Sequence, residues 1–283
     1  MHNFCDWLAR QGKTRSTIKQ NKNYALKYGH ILDTGDAAEL LTLSPRNRHH
    51  ALVALANLSK YCGCYRQFVY IRQNYNLKWT SANDSLQTLQ RFFNPEMSLE
   101  SMFERIRAMI RVLPEHMGKI IKFACLIGLR PSEVCESVRL LNTLGSIDQR
   151  VYYNPERQCL EHFRFPQIFL RQTKKAYISF VTREMLSGIA TLGPRTPTWN
   201  AIRLTCQRRG IPCDMRYCRK IHATHLYQSG IPVEIIDALQ GRTPANIFAK
   251  WYYRPSLDYK QKVLDAVDKL KQEIDDIGNI VGK

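Results

Sequence analysis

Apolar residues recur three and four positions apart through most of this chain, a period that admits a fold built almost entirely from helices. Phe4, Trp7 and Leu8 begin the pattern at i, i+3 and i+4. Ser44-Pro45 reads as an N-cap followed by proline at the first helical position. It opens the long stretch RNRHHALVALANLSKYCGCYRQFVYIRQ, which Gly63 breaks in two. Ser98 leads into MFERIRAMIRVL, Pro114 precedes EHMGKIIKFACLIG, Gly128 ends that helix and Pro131 starts the next. The β signal is confined to residues 148–182, where QIFLRQ and AYISFV are short runs joined through Thr173-Lys174-Lys175. The expected class is mainly α with a small antiparallel β-sheet, an α+β fold.

A chain of 283 residues has room for two modest domains. Residues 1–82 read as one helical domain. Residues 83–97 are polar and small, carry the turn signal Asn94-Pro95, and read as a linker. Residues 98–257 form the second domain. Residues 258–283 read as an amphipathic helix with Val263, Val267, Leu270, Ile274 and Ile277 on one face. That face packs either on its own domain or on a neighbouring protomer.

Charge narrows the partners. Lys and Arg number 42 against 24 Asp and Glu, a formal net charge of +18. Residues 1–82 hold 12 basic and 4 acidic residues, whereas the tail from 258 holds 5 and 6. A basic excess of this size draws polyanions such as nucleic acid. No run of 18 apolar residues offers a membrane span, and MHNFCDWLARQGK lacks the apolar stretch of a signal peptide, so a cytoplasmic protein is expected. The nine cysteines are irregularly spaced without C-x-x-C, and Cys62-Gly63-Cys64 is too tight for a zinc knuckle, so they read mostly as buried thiols. His222 and His225 read as packing or surface residues, and no cofactor or metal is expected.

The residues that could carry chemistry are basic and phenolic. In ACLIGLRPSEV, Arg130 sits just past a helix-ending glycine and opens the next helix, where N–H groups favour anions. Its alternative is a pairing with Glu133 three residues on. In RYCRKIHATHLYQSGI, Arg216 and Arg219 share a helix face and could converge on one phosphate, or form a solvated basic face. In LQGRTPANIFAKWYYRPS, Gly241-Arg242 is followed by Tyr252-Tyr253.

The order of these segments resembles the tyrosine recombinases, the lambda-type and Xer-type integrases. GLRPSEV is similar to the segment that holds that family's first arginine, Arg130 here. RQTKKAYISF resembles its β-hairpin lysine segment, with Lys174 at the matching place and Lys175 as the alternative. RYCR resembles the H-x-x-R box with Arg216 for the histidine and Arg219 for the arginine, and KIHATHLYQSGI resembles its continuation. LQGR resembles L-x-G-H with Arg242 for the histidine. Arginine at both histidine positions makes the chain similar to integrases of archaeal spindle-shaped viruses and related plasmids. Tyr252 matches the nucleophile; it lies ten residues past Arg242 where nine is usual, so Tyr253 stays open as the alternative.

The resemblance implies a helical DNA core-binding domain over 1–82 and a catalytic domain over 98–257. It implies a site-specific recombinase that cuts and rejoins double-stranded attachment sites through a 3′-phosphotyrosine, without metal or ATP. Arg130 and Arg219 would clamp the nonbridging phosphate oxygens, Arg216 and Arg242 would add donors, and Lys174 would protonate the leaving 5′ oxygen. A homo-tetramer on paired DNA sites, monomeric in free solution, follows from the same resemblance. A type IB topoisomerase-like enzyme and a DNA-binding protein without catalysis are the alternatives.

Overall fold

The computed structural model describes residues 2–79, 93, 98–144, 149–171, 174–193, 196–242, 254, 256 and 258–279. It is mainly helical with a small antiparallel sheet, as the sequence pattern requires. The chain divides into two compact units, Met1–Phe93 and Asn94–Lys283. Apart from Phe93, the 83–97 segment lies outside the described residues.

The first unit is helical among its described residues. Its longer helices are α1 (His2–Arg10), α2 (Arg15–Tyr28), α3 (Pro45–Tyr61) and α4 (Tyr65–Asn74). The Ser44 hydroxyl accepts from the Asn47 N–H, so the Ser-Pro signal caps α3, and the chain breaks around Gly63 before α4. Tyr28, Leu52, Leu55 and Phe68 are buried together at the centre. Phe4 and Leu8 of α1 pack with Ala25 of α2 in a smaller cluster.

In the second unit, α5 (Leu99–Val112), α6 (Glu115–Ile127) and α7 (Pro131–Thr143) lead into the sheet. The strands are β1 (Tyr153–Asn154), β2 (Cys159–Glu161), β3 (Leu170–Arg171), β4 (Lys174–Lys175) and β5 (Ile178–Phe180). The pairing differs from the sequence expectation. β5 pairs antiparallel with β2, not with the QIFLRQ run, and completes a three-stranded sheet in the order β1-β2-β5. Pro166–Phe169, which takes in the first three residues of that run, is a helical turn, and among the described residues of the run Leu170 and Arg171 pair with β4. Runs this short cannot specify their partner locally; burial chooses it, and Ile178–Phe180 finds an edge beside buried Leu160.

Helices α8 (Arg183–Ala190), α9 (Trp199–Arg208), α10 (Arg216–Gln228), α11 (Val233–Leu239) and α12 (Tyr259–Asn279) complete the unit. Val263, Val267, Leu270 and Ile274 of α12 are buried in the core of their own unit. The His225 Nε2 group donates to the Ala266 carbonyl at 3.0 Å, and Lys122 pairs with Asp275 at 2.9 Å. In the single chain these four positions therefore pack on their own unit, the first of the two arrangements open to an apolar stripe. All nine cysteines are free, and Cys125, Cys135, Cys159, Cys206 and Cys218 are buried.

A polar thread crosses this core. The Tyr152 hydroxyl lies 2.7 Å from Ser137 Oγ and 2.8 Å from His162 Nδ1, and His162 Nε2 lies 2.9 Å from Ser179 Oγ. Burial pulls the His162 pKa down to about 3, so the ring is neutral in the folded state.

Two outcomes are expected. Leu270→Ala should lower unfolding free energy by about 2–5 kcal/mol in denaturant titration, since it empties a fully enclosed site. Because the folded His162 pKa lies below its unfolded value, the unfolded chain binds the extra proton between about pH 6.5 and 3. Stability should therefore fall as pH drops through that window, by on the order of 1 kcal/mol per pH unit, and His162→Gln should flatten the slope of melting temperature against pH.

Candidate active site

The site begins at the α6–α7 turn. Gly128 adopts φ +59° and receives the end of α6, and a Cβ there would collide with the His222 ring from α10. Two residues on, Arg130 caps α7 with Pro131 at its first position. Glu133, 1% exposed, accepts from the Arg130 N–H and from Nη1, both at 3.1 Å. The pairing weighed from the sequence is thus real, and it leaves the guanidinium 21% exposed with Nη2 donating to the Gly241 carbonyl at 3.4 Å.

Arg219 enters from the first turn of α10. Its Nη2 donates to the Gln240 carbonyl at 2.6 Å, while its Nη1 is buried without a partner among the described residues. Burial, then the charges of Arg130 and Arg242, pull its pKa down to about 10, so it stays protonated near neutrality. Arg242 follows α11. It is about half exposed and donates from Nη1 to Asp237 at 2.8 Å. Two of the three arginines thus carry a carboxylate partner, whereas the described partner of Arg219 is a neutral carbonyl.

Gly241 locks the hairpin to this cluster. Its φ is +66°, and a Cβ would come within 2.7 Å of the Lys175 carbonyl and 2.8 Å of the Ala176 nitrogen. The Lys175 N–H points at the Gly241 carbonyl from 3.5 Å. The backbone of Lys175 and Ala176 therefore lies against Gly241. Both lysines sit in β4 rather than at a hairpin tip. The Lys174 side chain, Tyr252 and Tyr253 lie outside the described residues.

The structure brings together Arg130, Arg219, Arg242 and the β4 backbone. It does not bring Arg216 to them. That guanidinium is 79% exposed and forked on Asp214, with Nε 2.8 Å from Oδ1 and Nη2 2.6 Å from Oδ2. Asp214 also takes the Arg216 N–H at 3.0 Å and so holds the side chain at the start of α10. Sequence reading passed over Gln240, which is fully buried and donates from Nε2 to the Arg219 carbonyl at 2.8 Å. Its signal lay within LQGR, one residue before the glycine. His222 and His225 are both buried packing residues. Burial, with Arg219 second, pulls the His222 pKa to about 3.

Three guanidinium groups converge with two paired carboxylates, an excess of positive charge that suits an anion. A family model described as archaeal phage integrase matches residues 100–262, more than half of the chain. The chain belongs to the archaeal phage integrase family, placing it among the enzymes that recombine DNA. No curated protein matches it. Among the described residues, no helix is long and apolar enough to cross a membrane.

Gly241→Ala should destabilise the second unit by at least about 1–3 kcal/mol, because it forces a strained φ as well as a backbone clash. Thermal unfolding of the two proteins side by side checks this, and an unchanged melting temperature would contradict the close approach.

Proposed function

We propose that the protein is a site-specific recombinase of the tyrosine type, acting on double-stranded attachment sites without metal or ATP. The observation that carries the reading is the partly buried Arg219 guanidinium. It sits beside Arg130 and Arg242 with its Nη1 unpartnered among the described residues.

Attack of an oxygen nucleophile on a phosphodiester builds charge on the nonbridging oxygens. Donors held in place before the reaction stabilise that charge most. Arg219 and Arg130 supply them, and half-exposed Arg242 can turn from Asp237 to the phosphate. Arg216 serves the DNA backbone from its exposed position once Asp214 releases it. Tyr252 is the nucleophile of this reading, with Tyr253 the alternative. A tyrosine has an ordinary pKa of about 10, so it needs neighbouring positive charge to react near neutral pH. Lys174 protonates the leaving 5′ oxygen. The 3′-phosphotyrosyl bond keeps the energy of the broken linkage, so a second DNA end can reverse the step.

Arginine at both positions where the bacterial pattern carries histidine removes two groups that could exchange a proton near neutrality. Acid–base work then falls on Lys174 or water. Residues 1–82, with their basic excess, act as the DNA core-binding domain. A monomer in solution assembles as a tetramer on paired sites in the host cytoplasm.

Incubation with a nicked duplex substrate drawn from a pool of host fragments should give a protein–DNA adduct on a denaturing gel. Tyr252→Phe should abolish the adduct and Tyr253→Phe should retain it. The reverse pattern would move the nucleophile by one residue. No adduct on DNA that the protein binds would favour a DNA-binding protein without catalysis.

A further inference from the structure

We propose that Gln240 is the positioning residue for Arg219, holding the guanidinium in its reactive orientation with neutral groups only. The inference rests on the recombinase reading for its consequence, but its geometry stands apart from that reading.

Gln240 holds Arg219 at both ends. Its side-chain Nε2 donates to the Arg219 carbonyl at 2.8 Å, and its own carbonyl accepts from Arg219 Nη2 at 2.6 Å. The side chain is fully buried, and its Nε2 also lies 3.4 Å from His222 Nδ1. An amide turned the other way would set Oε1 against the Arg219 carbonyl, two acceptors face to face, so the donor orientation is the one the site permits. Neutral His222 offers its Nδ1 as an acceptor, and the same ring packs against Gly128, two residues before Arg130. One amide thus joins α10, the end of α11 and the turn that carries Arg130.

Neutrality is the point of the device. A carboxylate could hold Arg219 equally firmly, but it would cancel charge meant for the phosphate. Carbonyl and amide dipoles fix the direction of the guanidinium and leave its charge intact. Gln240 Oε1 is itself buried without a partner among the described residues. A buried acceptor left unmade is costly, and an apolar side chain of similar length would avoid that cost. Core packing alone would favour such a side chain; a role in orienting Arg219 explains the glutamine.

The test compares wild type with Gln240→Met, which keeps the length and loses the donor, and Gln240→Glu, which keeps the shape and adds a charge. Adduct formation at saturating DNA should slow by about 10- to 100-fold in Gln240→Met, with DNA affinity within about twofold of wild type. Gln240→Glu should be no faster. A second readout needs no DNA chemistry. In protein labelled with 15N-arginine, the slowly rotating guanidinium signal that disappears in Arg219→Lys should be sharp in wild type and averaged in Gln240→Met. Wild-type cleavage rates in both variants, or a sharp Arg219 signal in Gln240→Met, would overturn the inference. So would rate losses that track DNA affinity, or variants that unfold, since each marks Gln240 as ordinary packing. If wild type forms no adduct, the recombinase reading falls, and the Arg219 signal alone decides the positioning role.

Discussion

Three guanidinium groups do not gather in a partly buried site without cost, and the second unit is organised around bearing that cost. Arg219 is the extreme case, because its described partner is a carbonyl and its pKa is drawn down by burial and by Arg130 and Arg242. Glu133 and Asp237 pair with the two flanking arginines, and their charges partly offset the fall in the Arg219 pKa. Consecutive carbonyls of Gln240 and Gly241 take Arg219 and Arg130, so a single helix end joins arginines that lie far apart in the chain.

Close approach of backbone makes this possible. At Gly128 the end of α6 comes against the His222 ring, and at Gly241 the end of α11 comes against the β4 backbone. Both positions have positive φ and no space for a Cβ, so both requirements select glycine. The outer face of the unit is closed by α12, whose buried residues and the His225–Ala266 hydrogen bond brace the helix that carries Arg219.

Arg216 and Arg219 show how little residue type decides by itself. They lie three positions apart on α10 with the same charge. One is exposed and forked on Asp214, and the other is partly buried beside two more arginines. The first suits a backbone contact that forms and breaks, and the second suits fixed stabilisation of charge.

Much of the frame is legible in the chain because its signals are local. Ser44-Pro45, Ser98, Gly128 and Pro131 mark helix ends through caps and dihedral preference, and the stripe from Val263 to Ile274 announces a helix that must be covered. GLRPSEV and LQGR mark out the segments that hold Arg130, Arg219's neighbour Gln240, and Arg242. What covers the stripe, which strand β5 joins, and which arginine stays exposed were settled only in three dimensions. Each depends on groups distant in sequence: Cys159–Glu161 for β5, α10 for the tail, and the carbonyls of Gln240 and Gly241 for the arginines. Local propensity sets the period and the ends of an element, but burial and hydrogen-bond geometry across the fold choose its partner, and no short stretch of sequence carries that choice.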